Sequence, residues 1–234
     1  MAEPWQGLTE TMTRPRRVLP GADYAPPAGP VHLLHVDESL VVVNKPSGLL
    51  CVPGKGSALS DCLIGRLRAL FPDILLVHRL DRDTSGVMVF ARNRRAQRHL
   101  GRQFEKRRVE KTYVARITGR PGLPSGRIDL PMIADLTDRP RQKICLVTGR
   151  AAQTAWRVLA SDQGSSLVRL HPATGRSHQL RLHMRALGHP ILGDPLYATG
   201  AAAGAPRLML HAQSLGLRHP DGGAPCEFSR PAPF

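Results

Sequence analysis

Acidic residues are scarce in this chain: 18 Asp and Glu stand against 33 Lys and Arg, for a formal net charge of +15 over 234 residues. Such an excess costs self-repulsion and points to a polyanionic partner. Nucleic acid fits best, because each neutralised phosphate releases counterions. An anionic membrane fits worse, since no strongly apolar, basic amphipathic helix is present. No apolar run is long enough to span a bilayer, and the N-terminal stretch MAEPWQGLTETMTRPRRVLPG lacks the apolar core of a signal peptide. A cytoplasmic protein is expected. Cysteines number 4, and Cys51, Cys62, Cys145 and Cys226 form no C-x-x-C pair, so neither a zinc knuckle nor a redox motif is indicated. There is no G-x-G-x-x-G, P-loop or H-E-x-x-H, and no internal repeat.

Hydrophobic residues make up 41% of the chain, enough for a core without disulfides. Residues 1–29, with Pro4, Pro15, Pro20, Pro26 and Pro27 and with Pro30 adjoining, read as an extended arm. That leaves 30–234 as one catalytic-sized domain, with no room for a separate N-terminal RNA-binding module. VHLLHV and SLVVVNK flank Asp37-Glu38 as a hairpin. Leu59, Leu63, Leu67 and Leu70 recur at helical spacing, with Ser57 or Ser60 as cap. LLVHRL and GVMVFAR read as buried strands around a tight turn. A second helix is predicted over 93–107, capped by Asn93, with Ala96, Leu100 and Phe104 inward. Its other faces carry Arg94, Arg95, Arg98, Arg102, Lys106 and Arg107, a single-signed set suited to phosphates. Further strands are expected at 110–118, 153–161, 166–171 and 211–218. A third helix is expected at 177–187, capped by Ser177 and ended by Gly188; TGAAAGAP reads as a loop. Strands outnumber helices and often follow one another, so the class is α+β with a mixed, largely antiparallel sheet.

The densest polar cluster is HRLDRDTSG, His78 to Gly86, set between apolar runs. DTSG is explained as a turn whose side chains satisfy backbone donors. Arg79 and Asp81 are not explained that way: alternation about Leu80 would place them on one face, charged in an apolar setting. Asp81 with Asp83 could also suggest a divalent metal, but two carboxylates beside Arg79 and Arg82 are a poor cation site; no metal is expected. A second cluster, ATGRSHQLRLHM, puts Arg176 at a helix start, where the dipole opposes a cation. Arg176 should therefore have an anionic partner elsewhere, and Asp81 is a candidate. His178 and His183 lack zincin spacing and are expected to pack and hydrogen-bond.

HRLDRDTSG, KTYVAR and PATGRSHQLRLHMRALGHPILGDPLYA, together with VVVNKPSGLLCVPGKG and RLMLHAQSLGL, resemble the RluA family of pseudouridine synthases. The likeness runs in family order over residues 31–218. It implies the pseudouridine synthase catalytic fold, two packed halves around a central cleft with flanking helices. It also implies a cofactor-free isomerase that converts uridine in folded RNA to pseudouridine. Asp81 matches the nucleophile. Tyr113 matches the aromatic that stacks on the target uracil and helps deprotonate it. Arg176 is matched to the arginine that pairs with the catalytic carboxylate. Arg79 matches an arginine that occupies the gap left by the flipped base, and Leu180 an apolar contact to uracil. His78 and the helix arginines Arg94, Arg98 and Arg102 are expected to face RNA. The stretch DLPMIADLTDRPRQKICLVTGRAAQT and the compact length further resemble the branch of the family that acts on both 23S rRNA and a tRNA anticodon arm. Another rRNA or tRNA uridine is the alternative target. A non-catalytic RNA-binding protein and a metal-dependent nuclease are the competing classes. A monomer is expected, because no coiled-coil or extended apolar seam shows.

Overall fold

The computed structural model describes residues 24–234. Most of the expected N-terminal arm lies outside the described residues. Its last part, from Tyr24, forms no helix or strand. It is pinned to the domain: Tyr24 donates to the Asp61 carbonyl at 2.8 Å, and Arg66 donates to the Pro27 carbonyl at 2.9 Å.

Strands β1 (His32–Val36) and β2 (Leu40–Lys45) form the predicted hairpin. Asp37 closes its turn by accepting from the amides of Ser39 and Leu40. Helix α1 (Leu63–Arg68) is shorter than the leucine spacing predicted. Leu59 ends a separate 3-10 turn, held by the Gly54 amide at 2.9 Å. Cys62, not a serine, precedes α1, and no side chain caps it. Strand β3 is only Leu75–Leu76, followed by β4 (Ser85–Ala91), α2 (Arg94–Glu105) and β5 (Glu110–Thr118). Asn93 caps α2 as expected, accepting from the Ala96 amide at 2.8 Å. Then come β6 (Ser125–Asp129), β7 (Met132–Ala134), β8 (Gln142–Ile144), β9 (Gln153–Ser161) and β10 (Ser165–Pro172). Helix α3 (Gln179–Ala186), β11 (Leu210–Arg218) and β12 (Pro225–Ser229) complete the chain.

The main sheet runs β1-β2-β4-β11-β5-β10-β9-β6, with β12 on β11 and β3 on β4; β7 and β8 pair apart. All its pairings are antiparallel except β4 with β11. The mixed, largely antiparallel α+β class is therefore correct. At the parallel join Ala212 faces Gly86, whose φ is +122°, and a Cβ there would lie 2.2 Å from the Ala212 carbonyl oxygen. Only glycine allows this approach. Along β2 and β4 alternate residues feed two cores. Val41, Val43, Met88 and Phe90 pack with α1, while Leu40, Val42, Val87 and Val89 pack with α2. Beyond the parallel join, β5 and β10 pack against Leu180 and Met184 of α3. The sheet thus has two differently clad halves, and a cleft opens where they meet.

LLVHRL does not stay a strand, and the reason is local. β2 occupies one edge of β4 throughout, while β11 reaches only Ser85 and Gly86 on the other, and β3 only Phe90 and Ala91. The Val89 amide between them donates instead to His78 Nε2 at 3.1 Å. From there the chain leaves the sheet and becomes a loop, Arg79 to Thr84, at the cleft.

Candidate active site

The cleft holds a cavity of about 680 Å³, within the usual range for small-molecule sites. One wall brings Cys51, Arg79, Leu80 and Asp81; the other brings Tyr113, Arg176, His178, Leu180 and Arg181. Asp81 and Tyr113, 32 residues apart in sequence, thus share one chamber. The loop bearing Asp81 is fixed from behind. The Thr84 amide donates to the Asp81 carbonyl at 3.2 Å, and Ser47 Oγ to the Asp83 carbonyl at 2.6 Å. Lys45 is fully buried and spends its ammonium on the carbonyls of Pro46, Leu49 and Arg82. Burial pulls Lys45 down to about 8, against the opposing charges of Cys51, Asp83 and Asp81.

The guanidinium beside Asp81 belongs to Arg181, not Arg176. Arg181 Nη1 lies 3.2 Å from Asp81 Oδ2. Its Nε and Nη2 bind both oxygens of Asp194 at 2.7 Å each, and the Tyr197 ring lies under it, 5.3 Å from centroid to guanidinium carbon. Asp194 is wholly buried and also accepts from the amides of Leu196 and Tyr197. Burial opposes the charge on Arg181, but hydrogen bonds and charge from Asp194, with the charge of Asp81, outweigh it and hold the group above its ordinary value. The result is a fixed line, Asp194–Arg181–Asp81, with one carboxylate saturated and the other presented to the cavity.

The expected pairing of Arg176 with Asp81 fails because α3 starts later than predicted. Its first residue is Gln179, preceded by His178 in a left-handed conformation, φ +56°, so Ser177 caps nothing. Gln179 Oε1 instead gathers Thr174 Oγ1 at 2.7 Å and the Arg176 amide at 3.0 Å. Arg176 lines the cavity, but its Nε donates to the Ala151 carbonyl at 3.2 Å. A five-residue step along the chain therefore exchanges the two arginines' roles. The missed signal was a charged residue between Leu180 and Leu182 on a buried helix face, since buried charge needs a partner.

The other expected residues divide. Tyr113, on β5 between Leu170 and Ala212, faces the cavity with no hydrogen-bond partner for its hydroxyl among the described residues. Burial, reinforced by the charge of Asp81, raises its phenol above the ordinary value. Leu180 lines the chamber and Arg79 lies exposed at its edge. His78 also lines it but is committed to structure: it accepts from Val89, stacks on Phe104 at 4.5 Å, and burial lowers it to about 3. His178, expected to pack and hydrogen-bond, bonds the Tyr197 hydroxyl at 2.9 Å and reaches within 4.0 Å of Asp81. Arg94, Arg98 and Arg102 are exposed on α2 and none lines the cavity. Asp83 is bound by Arg82 at 2.8 Å and is absent from the cavity wall. Asp81 and Asp83 therefore do not converge on one cation, and no group of three metal-donor side chains forms among the described residues.

A family model described as RNA pseudouridylate synthase matches residues 39–186. The chain belongs to the RNA pseudouridylate synthase family. The dual-specificity RNA pseudouridine synthase RluA of Yersinia pestis is 50% identical over 204 residues, covering 86% of this chain and 99% of that protein. RluA of Escherichia coli K12 is 49% identical over 216 residues, covering 91% and 98%. Among solved structures, human RNA Pseudouridylate Synthase Domain Containing 1 superposes with a TM-score of 0.73 at 32% identity, over 90% of this chain and 87% of that one. Domain Containing 4 gives 0.70 at 28%, over 86% and 88%. As an RNA pseudouridylate synthase the chain is an RNA-modifying isomerase, and the expected family, fold and enzyme class all hold.

Proposed function

We propose that Asp81 is the nucleophile for isomerisation of uridines in two kinds of RNA, a 23S rRNA loop and a tRNA anticodon arm. The observation that carries the catalytic part is the Asp81–Arg181–Asp194 line ending in the same cavity as Tyr113. The dual target is supported by 49–50% identity to RluA proteins over nearly their whole length. A cytoplasmic location is part of the same reading, as is a monomer, the latter because the sequence shows no coiled-coil or extended apolar seam.

The reaction breaks the bond from uracil N1 to the sugar and makes one from C5 to the same sugar carbon. C5 loses a proton and N1 gains one, so substrate and product are isomers and no redox partner or energy donor is consumed. The uridine first leaves its stack, at a cost of a few kcal/mol. Stacking on the Tyr113 ring offsets about 1–3 kcal/mol of that. Arg79, exposed at the chamber's edge, fills the vacated position. Arg181 holds the Asp81 carboxylate aimed at the cavity, and Asp194 fixes the guanidinium's other face beforehand. The raised Tyr113 phenol is neutral in the empty site. It contributes its ring first, then relays the C5 proton through its oxygen.

The test is release of tritium from RNA carrying uridine labelled at carbon 5, with wild type and Asp81→Asn. Wild type should release tritium from both RNA classes and leave the strand uncut. Asp81→Asn should release none while retaining RNA affinity. Full activity in Asp81→Asn overturns the assignment, and activity on one RNA class alone overturns the dual target.

A further inference from the structure

Two cations that line the cavity, Lys111 and Arg176, and two whose charges act on them, Arg107 and Arg150, have no acidic partner among the described residues. Lys111 on β5 and Arg176 before α3 both line the cavity. Arg150 adjoins Ala151, whose carbonyl takes Arg176 Nε. Arg107, two residues past α2, is left-handed, φ +55°, its amide on the carbonyl of Phe104, which also lines the cavity. Lys111 Nζ reaches only the Thr174 carbonyl, at 3.5 Å, two residues from Arg176. Among the described residues none of the four makes an ion pair with a carboxylate. Most other cations near the chamber are answered: Arg181 by Asp194, and Arg82 by Asp83.

We infer that Lys111, Arg150 and Arg176, backed by Arg107, form a seat for one backbone phosphate of the RNA strand next to the extruded uridine. The two carbonyl contacts hold the charged heads in place and use few of their donors: a guanidinium has five and an ammonium three. Most of their donors are left unspent by these contacts. The electrostatics agree. Burial, then the charges of Arg150 and Arg107, lower Arg176, and burial, then Arg107, lowers Lys111. Like charges held together without an acid are eased only by an anion, and a phosphodiester is the anion this enzyme's substrate brings. The exposed arginines Arg94, Arg98 and Arg102 of α2 differ, since they neither border the cavity nor act on Arg176 and Lys111; they attract RNA at longer range, whereas the seat fixes its register. Phosphate contacts of this kind position a nucleic acid without reading its sequence, which suits an enzyme acting on two RNAs. The inference rests on the isomerase reading of the same cavity.

The experiment measures RNA binding by wild type, Lys111→Gln, Arg150→Gln and Arg176→Gln as a function of salt. Each variant should weaken binding about 3–10-fold and lower the slope of log K against log salt by roughly one. Arg176→Lys should restore most of the slope. A second measurement uses wild type and RNAs with a single neutral methylphosphonate placed in turn on each side of the target uridine. One position should weaken wild-type binding and leave Arg176→Gln unaffected. Unchanged slopes in all three variants, or no position to which Arg176→Gln is blind, overturns the seat. If wild type forms no pseudouridine, the isomerase reading has failed; altered slopes without turnover, or turnover without altered slopes, tell the two failures apart.

Discussion

Two arginines five residues apart live in opposite circumstances. Arg181 is 2% exposed and answered on two sides by Asp194 and Asp81. Arg176 stands at the chamber's mouth, among other cations, with only a backbone carbonyl to hold it. The first arrangement is complete before substrate arrives, so its charge serves as a fixed electrostatic support. The second is incomplete, and its unspent donors are what a polyanion binds. Paired charge inside and unpaired charge at the rim thus separate preorganisation of the chemistry from capture of the RNA.

The sharpest way to break this contrast is to remove each guanidinium. Arg181→Met leaves two carboxylates without their cation, one of them in a fully buried place. Truncating one partner of a buried pair typically costs about 3–5 kcal/mol. Urea unfolding should show a loss of that order, and tritium release should fall below detection. Arg176→Gln should change stability by no more than about 0.5 kcal/mol, as for a surface substitution. Similar destabilisation by both would erase the distinction. A smaller effect is expected at Tyr113, whose ring is needed for stacking and whose hydroxyl for proton relay. Tyr113→Phe should bind RNA as tightly as wild type and slow single-turnover product formation by about 100-fold, the common worth of one acid–base group. An unchanged single-turnover rate removes the relay role.

How much of this was legible beforehand follows the range of the interactions. The hairpin around Asp37, the strands at 110–118 and 153–161, and the Asn93 cap rest on residues within a few positions of one another, and alternation or capping chemistry showed them. Asp81 and Tyr113 were visible through family likeness. The Arg181 contacts were not, because they join residues 13 and 100 apart in sequence, and no local rule chooses among nearby arginines. Helix α3 misled for a different, local reason: Ser177 is a good cap by type, yet Gln179 reaches back from inside the helix to Thr174 and Arg176, and the helix starts later. Strand β6 went unread because it is short and opens SGR. Its glycine is there to admit an aromatic, since a Cβ on Gly126 would lie 2.9 Å from the Trp156 ring.

The mildest test of the same contrast is acid. An interior that holds charge only where it is paired or fully hydrogen-bonded should also refuse unpaired protons, and two histidines show this. Burial lowers His78 from 6.5 to about 3, and lowers His211 to about 4 despite a bond to the Arg230 carbonyl. Each folded-state value lies below the unfolded one. Between about pH 6.5 and 4 the unfolded chain therefore binds protons that the native chain excludes, and stability must fall as pH falls through that window. Each excluded proton contributes a slope of about 1.4 kcal/mol per pH unit; His178 and His183, also lowered chiefly by burial, act in the same direction. Replacing His78 by Gln keeps an acceptor for the Val89 amide and removes one titrating group. Urea midpoints measured at pH 6.5, 5.5 and 4.5 should fall less steeply for His78→Gln than for wild type, by about one proton's worth. Parallel curves would mean that His78 takes up its proton without cost, and that the chamber's floor is more open to charge than its packing under Phe104 implies.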